Sequence, residues 1–474
     1  MNFLITNIGQ LNDLLVYKFF GMPFILMWLV ATSIFLSIKM RFINLRFFVD
    51  AIKTIVYVDP DAKKYNDKRV QISPFTAFAT QAAGNLGLGN IAGAAFAVKM
   101  AGPGVLFWIF ISSFFFSIIK FCEITLGHKY RIVNENGVIS GGTFYFIRDG
   151  FANKIFYGIS LKKLGIYLGM ISAVITAIVV CSWSFFQLNQ IVAIITDGKN
   201  AFSKTGVDYE VISCSVIVIF LAGAVLIGGI KRLGSLADMV VPVMAGGYLI
   251  VCSYVIFFYK HNIVSSLALI INQAFSTNSI FGGCCVTMVI AMQRMMFATE
   301  AGAGTAAMVH ANSSLKRSSR QGLVAIIDCV LIATIICFGG FTILVSGVDF
   351  VGTHNSGIML MNQVFVSVNP LFHYVLIVIA FLFGFTTITG NGYSVQKSVG
   401  YIFGTKREKL YLYIFIVITF LMSFYESSFL VKLFDVLTML MLIPNTIGLF
   451  VLSSEVKKDL DEYIKEKKIF YSHN

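Results

Sequence analysis

The segment 84-GNLGLGNIAG-93 carries four glycines in ten positions and interrupts an otherwise apolar stretch of the 474-residue chain. Each glycine weakens a helix interior by about 0.5–1 kcal/mol relative to alanine. A second interruption lies at 297-FATEAGAGTAAM-308, where Gly302 and Gly304 stand close to Glu300. Both segments therefore predict helices that unwind part of the way along their length.

The composition of the whole chain predicts what surrounds these two segments. Apolar residues make up 57% of the chain and charged residues 12%, against about 45–50% and about 25% in typical soluble proteins. A soluble fold could not cover its surface with so few charges. The sequence therefore predicts a polytopic membrane protein. Its net charge of +13 is then better explained by orientation in the membrane than by binding to nucleic acid.

A helix needs about 20 apolar residues to cross a bilayer. We predict an all-α chain with about eleven such spans, because the apolar runs are continuous and too long for the strands of a barrel. No basic leader with a cleavage site precedes them, so no removable signal peptide is expected. In chain order, spans 1 to 11 cover 17–38, 74–98, 103–127, 165–195, 209–230, 235–259, 278–298, 321–347, 371–395, 409–425 and 428–453.

The basic residues are distributed very unevenly between the two sides of this topology. Loops that follow odd-numbered spans hold 28 Lys and Arg, whereas loops that follow even-numbered spans hold four. This bias predicts an outside N-terminus and a cytoplasmic C-terminus. The chain then divides into an N-terminal helix with its basic loop, two five-helix repeats and a charged tail, which we expect to be a helix with a solvated surface. These four parts cover 1–73, 74–259, 278–453 and 454–474.

The two glycine-rich interruptions fall in spans 2 and 7, which open the two five-helix repeats. An odd number of spans inverts the second repeat relative to the first, and interrupted spans at matching places in inverted halves indicate a transporter binding site. Free N–H groups at a half-helix N-terminus suit a carboxylate, and free carbonyls suit Na⁺ or an ammonium group. The pattern predicts a small zwitterion and a monovalent cation. The alternative is that Gly89-x-x-x-Gly93 only allows helices to pack closely.

Several segments, in the same order along the chain, resemble the alanine/glycine:cation symporters of bacteria and archaea, which are usually sodium-coupled. The resemblance runs from about Ile38 to Gly448. The matching positions are 87-GLGNIAG-93, 101-AGPGVLFW-108, Lys120, Glu123, Tyr130, Arg131, 141-GGTFYFI-147, Gln187, Asn189, 229-GIKRLGSLADMVVPVMA-245, 297-FATEAGAGTAA-307, His310, Ala311, Gln321 and Gly322.

The resemblance implies a leucine-transporter-like fold of five plus five inverted helices, here with one extra helix at the N-terminus. It also implies a substrate site at the breaks of spans 2 and 7, and a sodium site between spans 2 and 9. Threonines in span 9 offer oxygens to Na⁺, or else bond back to their own helical turn. The candidate substrate-binding residues are Gln81, Gly84, Asn85, Gly87, Gly89, Asn90, Gln187, Thr299, Glu300 and Gly302. The candidate Na⁺ ligands are Asn90, Thr386 and Thr387, with Thr389 close by in the sequence.

The chain departs from the family pattern at several positions near these sites. Ala298 and Thr299 stand where the family has Ser and Asn. In span 9, Asn391 stands at an aromatic position, and 394–396 replaces a Tyr-Gly-Glu segment. The loss of an aromatic group and an acid leaves both the substrate side chain and the coupling ion open.

Four charged residues within or next to the spans are considered for function by position. Glu300 either lies near the ligand and the unpaired backbone groups of the unwound helices, or has only the structural role of stabilising the second break. Lys120 and Glu123 have the i,i+3 spacing of a local pair on one helix, and we predict that pair. Asp328 either relays protons or anchors a neighbouring helix, and the anchor is preferred.

Other polar residues are expected to have structural roles. Arg294 is expected to pair with an acidic residue, and the alternative is that it binds the carboxylate of the substrate. His310 is expected at the cytoplasmic rim without a metal. All eight cysteines lie in apolar runs without CxxC spacing, so neither a disulfide framework nor a zinc site is predicted.

We therefore predict a secondary active transporter that imports a small neutral amino acid, alanine or glycine, with Na⁺ and no organic cofactor. Its expected location is a bacterial or archaeal cell membrane, the inner one where there are two, and its expected partners are the amino acid and the lipid bilayer. The alternatives are proton-coupled or exchange transport on the same fold, with Glu300 or Asp328 as the proton carrier, and an amino-acid sensor that does not transport. No HExxH, GxSxG or facing aspartate pair points to an enzyme.

Overall fold

The computed structural model describes residues 18–19, 22–57, 72–133, 137–196, 202–203, 206–275, 283–348, 357–424 and 428–472. Parts of predicted spans 1, 7 and 10 lie outside these residues, as do the loop residues Lys63, Lys64, Lys68, Arg69, Lys199 and Lys204. The described α-helices are α1 Phe24–Lys39, α2 Ile43–Arg46, α3 Phe48–Ile55, α4 Pro74–Asn85, α5 Leu88–Ala101, α6 Val105–Lys129, α7 Thr143–Phe151, α8 Lys162–Ile195, α9 Tyr209–Leu226, α10 Gly229–Phe258, α11 Ile263–Ala274, α12 Gly283–Thr299, α13 Thr305–His310, α14 Ser318–Gly322, α15 Val324–Ser346, α16 Ile358–Val366, α17 Phe372–Phe403, α18 Glu408–Met422 and α19 Ser428–Ser472.

Two short 3₁₀ turns and four small hairpins complete the described secondary structure. The 3₁₀ turns are Lys260–Asn262 and Thr405–Arg407. Each hairpin pairs two antiparallel strands of two residues, so none builds a layer of the fold. The pairs are β1 Lys18–Phe19 with β2 Met22–Pro23, β3 Ile132–Val133 with β4 Ile139–Ser140, β5 Ile155–Phe156 with β6 Ile159–Ser160, and β7 Phe202–Ser203 with β8 Gly206–Val207.

The prediction of an all-α membrane protein is confirmed. Among the described residues, seven helices are long and apolar enough to cross a membrane: α6, α8, α9, α10, α14 together with α15, α17 and α19. Shorter apolar helices lie at α1, α5 and the described end of α12. These are the segments that a continuous apolar run predicts, because only a helix satisfies its own backbone groups in hydrocarbon.

Both predicted helix breaks are present. Span 2 divides into α4, which ends at Asn85, and α5, which begins at Leu88. Span 7 divides after Thr299, and α13 begins only at Thr305. Between them, Glu300, Gly302 and Gly304 have φ values of +54°, +91° and +80°. This left-handed backbone cannot continue a right-handed helix, and glycine adopts it without the penalty that other residues incur.

The broken helices lie inside the bundle. Helices α4 and α5 pack against α10, α15 and α17, while α12 and α13 pack against α6. Outside the breaks, the two most extensive helix–helix contacts join α8 to α17 and α6 to α15. The breaks are therefore enclosed by protein, which is where unwound backbone is tolerated at membrane depth.

One backbone approach fixes α17 against the first half of span 2. Gly84 lies in α4 and Gly390 in α17, and a Cβ atom built on Gly390 would come within 2.7 Å of the Gly84 Cα atom. Only glycine allows two backbones to come this close, as in other small-residue contacts between membrane helices. The contact holds α17 directly beside the first break.

The C-terminal tail differs in part from the prediction. It continues span 11 as one helix to Ser472, and Val456 and Leu460 are buried. Glu455 pairs with Lys129 at 3.0 Å and with Lys154 at 2.9 Å. The tail is therefore a helix, as predicted, but its surface is only partly solvated, because its apolar residues pack inward and several of its partly exposed charges pair with the protein body.

Further tail contacts group the loops that follow odd-numbered spans. Arg317 Nη1 lies 2.7 Å from Glu462, and Lys467 Nζ lies 2.6 Å from Asp50. Lys39 Nζ donates to Ser453 at 2.7 Å. The basic ends of spans 1, 3 and 7 thus meet the tail on one side of the bundle, as the charge distribution of the sequence requires.

The glycine contact gives a direct test of the packing. Replacement Gly390→Ala should lower the melting temperature of the detergent-purified protein, because the new methyl group would meet backbone atoms that cannot rotate away; overpacking costs about 1–3 kcal/mol. Thermal unfolding followed by circular dichroism measures this change.

The matched control is Gly246→Ala in α10, where a Cβ atom would meet nothing within 4 Å. That variant should melt at or above the wild-type temperature, since alanine favours a helix. Equal melting temperatures for the two variants would contradict the close contact.

Candidate functional site

Side chains from other helices satisfy the backbone groups exposed at the first break. Gln187 of α8 accepts a hydrogen bond through its Oε1 from the Leu88 N–H at 3.0 Å. Asn90 Nδ2 donates to the Asn85 carbonyl oxygen at 2.8 Å. These two bonds cap the start of α5 and the end of α4, which have lost their intrahelical partners.

The second break is held by a carboxylate and an amide from two other helices. Glu123 of α6 accepts through Oε1 from the Gly302 N–H at 2.8 Å. Asn445 of α19 donates through Nδ2 to the Gly302 carbonyl at 2.7 Å and also to Glu123. Thr305 Oγ1 donates to Glu300 at 2.5 Å. The left-handed conformation of Glu300 is therefore fixed by contacts on both sides, as strained backbone requires.

A buried ion pair lies beside the breaks. Lys120 Nζ contacts Asp328 Oδ2, and their side chains are 0% and 1% exposed. The predicted pair of Lys120 with Glu123 is therefore wrong: Lys120 pairs with α15, and Glu123 bonds to the second break. Asp328 of α15 anchors the neighbouring helix α6 through this ion pair, which is the role that the sequence analysis preferred. Breaking such a pair by removing one partner leaves an uncompensated buried charge.

Asn85 connects this ion pair to the second break. We assign its amide with the oxygen 2.7 Å from Lys120 Nζ and the nitrogen 3.2 Å from Glu300 Oε2, the orientation that gives both groups a hydrogen bond. The first break, α6 and the second break thus share one buried polar network. Among the described residues, Glu123 Oε2 and Asp328 Oδ1 have no hydrogen-bond partner.

A cavity of about 600 Å³ lies between the two breaks. Backbone from α5, aromatic side chains from α8 and polar side chains from α4, α12 and α17 line it. Ligand pockets of roughly 300–1,000 Å³ with a few convergent polar groups are the usual form of a small-molecule site. The lining includes Gly84, Asn85, Gly87, Gly89, Asn90, Phe96, Trp183, Phe185, Phe186, Gln187, Gln190, Arg294, Glu300, Gly357, Thr387, Asn391 and Thr438.

Most of the candidate residues meet at this cavity. Gly84, Asn85, Gly87, Gly89, Asn90, Gln187 and Glu300 all line it. Gln81, Thr299 and Gly302 are buried beside the breaks but are not among its lining residues. Thr299 Oγ1 donates to the Met295 carbonyl at 2.6 Å within its own helix. These three residues shape the breaks and do not face the cavity.

The candidate Na⁺ ligands also divide into residues that line the cavity and residues that do not. Thr387 lines the cavity, and its Oγ1 lies 2.9 Å from the Phe383 carbonyl of its own helix and 3.2 Å from the Ala83 carbonyl near the end of α4. Thr386 Oγ1 donates to the Leu382 carbonyl at 2.8 Å and otherwise faces Met244. Thr389 Oγ1 donates to the Thr386 carbonyl at 2.8 Å. Thr387 is thus the threonine whose oxygen meets a carbonyl of span 2.

Sequence reasoning missed several residues of the site. The contact of Asn445 with Gly302 joins positions 143 residues apart, although an Asn inside an apolar span was a signal for a functional or structural role. The guanidinium of Arg294 lies 4.1 Å from the centre of the Phe96 ring, at the cavity wall. His310 is fully buried in the protein, with Nδ1 2.6 Å from Gln321 Nε2, and its place at the cytoplasmic rim stays a prediction.

Two broken helices around a central cavity, within a bundle of membrane-spanning helices, define a secondary transporter rather than an enzyme. The chain matches the sodium:alanine symporter family over residues 1–473 and belongs to that family. It is therefore a multi-pass protein of the cell membrane and an amino-acid transporter.

Individual relatives agree with this assignment. The sodium/alanine symporter AgcS of Methanococcus maripaludis is 30% identical over 450 residues, which cover 94% of this chain and 95% of AgcS. The probable sodium/glutamine symporter GlnT of Bacillus subtilis is 28% identical over 467 residues, or 97% of this chain and 91% of GlnT. The crystal structure of MhsT in complex with L-phenylalanine superposes with a TM-score of 0.59 at 11% identity, over 81% of this chain and 89% of MhsT. This likeness confirms the leucine-transporter-like fold with its inverted repeats.

The buried ion pair makes a prediction about stability. Asp328→Asn should destabilise the protein by about 3–5 kcal/mol, because it removes the carboxylate that directly contacts the buried Lys120 ammonium group. The double variant Lys120→Met with Asp328→Leu should recover much of this loss, since neither charge remains. Thermal or chemical unfolding in detergent measures both.

The comparison between the single and double variants decides the outcome. If Asp328→Asn unfolds at the wild-type temperature, or if the double variant is no more stable than Asp328→Asn, then the pair is not the partner that stabilises Lys120.

Proposed function

We propose that this protein imports a small neutral amino acid, with alanine and glycine as the expected substrates, by symport with Na⁺. The observation that carries the proposal is the cavity between two helix breaks, lined by backbone at Gly87 and Gly89 and by the carboxylate of Glu300. A zwitterionic amino acid carries a carboxylate that suits the backbone N–H groups and an ammonium group that suits the carboxylate of Glu300. Membership of the sodium:alanine symporter family supports both the substrate class and the ion.

The start of α5 is suited to the substrate carboxylate. It begins at Leu88, and a Cβ atom at Gly89 would meet nothing within 4 Å. A ligand can therefore approach the backbone of the first helical turn directly. The positive end of the half-helix dipole and its N–H groups then favour a negative group.

Glu300 is suited to the other end of the zwitterion. It lines the cavity, and Thr305 and Asn85 hold its Oε2 in place. A substrate ammonium group needs a compensating charge or carbonyl oxygens when it leaves water. Glu300 and the carbonyl groups around the breaks supply them, so the two ends of the substrate contact different broken helices.

The Ala83 carbonyl and Thr387 Oγ1 are the proposed first ligands for Na⁺. They belong to α4 and α17, lie 3.2 Å apart, and are hard oxygen donors of the kind that such a cation prefers. Gly84 and Gly390 hold the two helices together at this level. Ion binding would therefore stabilise the contact of α17 with the first break and would couple the ion to the substrate site.

The cavity and the tail contacts fit an outward-facing state, given the predicted orientation. Phe96 and Arg294 line the cavity toward the end of α5 and the start of α12, which the basic residues predict to face outside. On the other side, the tail contacts Arg317, Lys129 and Asp50. Import then requires the outer side to close and these cytoplasmic contacts to separate.

Proton-coupled or exchange transport is the second candidate function. Its supporting observation is that three carboxylates surround the Lys120 ammonium group: those of Glu123 and Asp328 are buried, and that of Glu300 is half-buried at the cavity. Such an excess of acids at membrane depth is typical of sites that carry protons. Uptake driven by a pH gradient in the absence of Na⁺ would support this candidate.

The function is tested by uptake of labelled alanine and glycine into proteoliposomes. An inward Na⁺ gradient should drive accumulation, and replacing Na⁺ by choline should abolish it. Thr387→Val should raise the Na⁺ concentration needed for half-maximal uptake by about tenfold, because one oxygen ligand is lost, which is equivalent to about 1.4 kcal/mol.

Thr334→Val is the matched control, since Thr334 Oγ1 donates to the Val330 carbonyl at 2.8 Å within its own helix. It should leave the Na⁺ dependence unchanged. Equal uptake with Na⁺ and with choline would refute sodium coupling, and tight binding without any flux would identify a sensor.

A second variant tests the position of the carboxylate. Gly89→Leu should abolish amino-acid binding without lowering the melting temperature, because its Cβ atom would meet nothing within 4 Å and the rest of its side chain would extend into the cavity in front of α5. Equilibrium binding of labelled alanine to the purified protein measures this effect.

Gly247→Leu in α10 is the control, since a Cβ atom there also meets nothing within 4 Å. It should bind alanine as the wild type does. Undiminished binding by Gly89→Leu would place the carboxylate elsewhere.

A further inference from the structure

Asn391 is a polar cavity residue that the site leaves unused. It lies in α17 one helical turn beyond Thr387, lines the cavity, and is 4% exposed. Its Nδ2 atom is buried and has no hydrogen-bond partner among the described residues. Buried side-chain amides are nearly always hydrogen-bonded, so an unpartnered one at a cavity needs an explanation.

The neighbouring polar side chains do not need a ligand in the same way. Asn85 bonds to Lys120 and Glu300, while Asn90 bonds to the Asn85 carbonyl. Gln187 bonds to the Leu88 N–H. Asn391 therefore differs from these three amides, because its Nδ2 atom is left for whatever enters the cavity.

The position of Asn391 is fixed by its neighbour. Gly390 packs against the Gly84 backbone so closely that a Cβ atom would come within 2.7 Å. α17 is thus held against α4, and the following residue reaches the cavity beside the first break. A pre-organised polar group on a rigid helix is the kind of element that determines specificity.

The ligand contacts already assigned leave one part of the substrate free. The carboxylate is directed to the start of α5 and the ammonium group to Glu300. Both groups belong to the main chain of an amino acid. What remains to face α17 is the side chain of the substrate.

We propose that Asn391 recognises the substrate side chain, and that the transporter prefers small neutral amino acids with a side-chain hydroxyl group, serine and threonine, to apolar ones of equal size. A hydroxyl group both donates and accepts, so it satisfies the amide in either orientation. This inference rests on the proposed function and refines its substrate class. A site built to bond a hydroxyl group rejects an analogue without one, because its own polar group is then left unpaired.

The test compares ligand pairs that differ mainly in the hydroxyl group. Serine against alanine, and threonine against valine, compete with labelled alanine for uptake into proteoliposomes with an inward Na⁺ gradient. The wild-type protein should bind the hydroxyl member of each pair about five- to tenfold more tightly, the effect of one net hydrogen bond. Asn391→Leu, which keeps the size and removes the amide, should bring both ratios to about one while alanine uptake persists.

Ser398→Ala is the matched control. Ser398 is buried in the same helix, and its Oγ donates to the Ser394 carbonyl at 2.8 Å. This variant should keep the wild-type preference for serine and threonine. If Asn391→Leu does not fold, Asn391→Ala, which adds no atoms to the site, should show the same loss of preference.

The outcomes separate the inference from the proposed function. Sodium-driven alanine uptake together with equal affinity for each pair in the wild type, or unchanged ratios in both Asn391 variants, would overturn the role of Asn391 and leave the proposed function intact. A folded wild-type protein that neither binds nor transports any of the four amino acids would overturn both.

Discussion

Unwound backbone within a bilayer needs hydrogen-bond partners, and this constraint shapes the centre of the molecule. Lipid cannot pair the groups left open at 86–87 and 300–304, and side chains of other helices pair with several of them. Gln187 pairs with the first break, while Glu123 and Asn445 pair with the second. Each break is therefore fastened to helices outside its own span, and the cavity exists because those fastenings hold the half-helices apart.

The same requirement explains the buried charges. Asp328 and Glu300 stand near Lys120, and Asn85 bridges Lys120 to Glu300. A charge at this depth is stable only when it is paired and hydrogen-bonded. Because the network joins both breaks, a change in the position of one half-helix alters the surroundings of the other. The network thus offers a physical route by which the proposed ion site at α4 and the proposed substrate site at Glu300 can affect each other.

The sequence predicted the breaks correctly but not their partners. Four glycines in ten residues at 84–93 lower helix preference locally, so the first break is visible without any long-range information. Lys120 shows the limit: helical spacing offers Glu123 as a neighbour, whereas its true partner Asp328 lies 208 residues away. The prediction for the tail at 454–472 was incomplete for a related reason. The charge pattern of a segment indicates that the segment is polar, but not which opposite charges of the protein lie against it. Contacts between distant segments depend on packing, which no local pattern contains.

The ion pairs on the side of the tail differ in strength from the contacts in the interior, and this difference bears on transport. On the side of the tail, Arg317, Lys129 and Lys467 form ion pairs that are partly exposed. Exposed pairs contribute about 0–1 kcal/mol each, so they fasten the tail without making its release costly. The interior contacts at Glu123 and Lys120 are fully buried and far more expensive to break. A conformational change that exposes the cavity to the other side is therefore expected to separate the tail contacts and keep the interior network, so that the half-helices move with the elements that hold them.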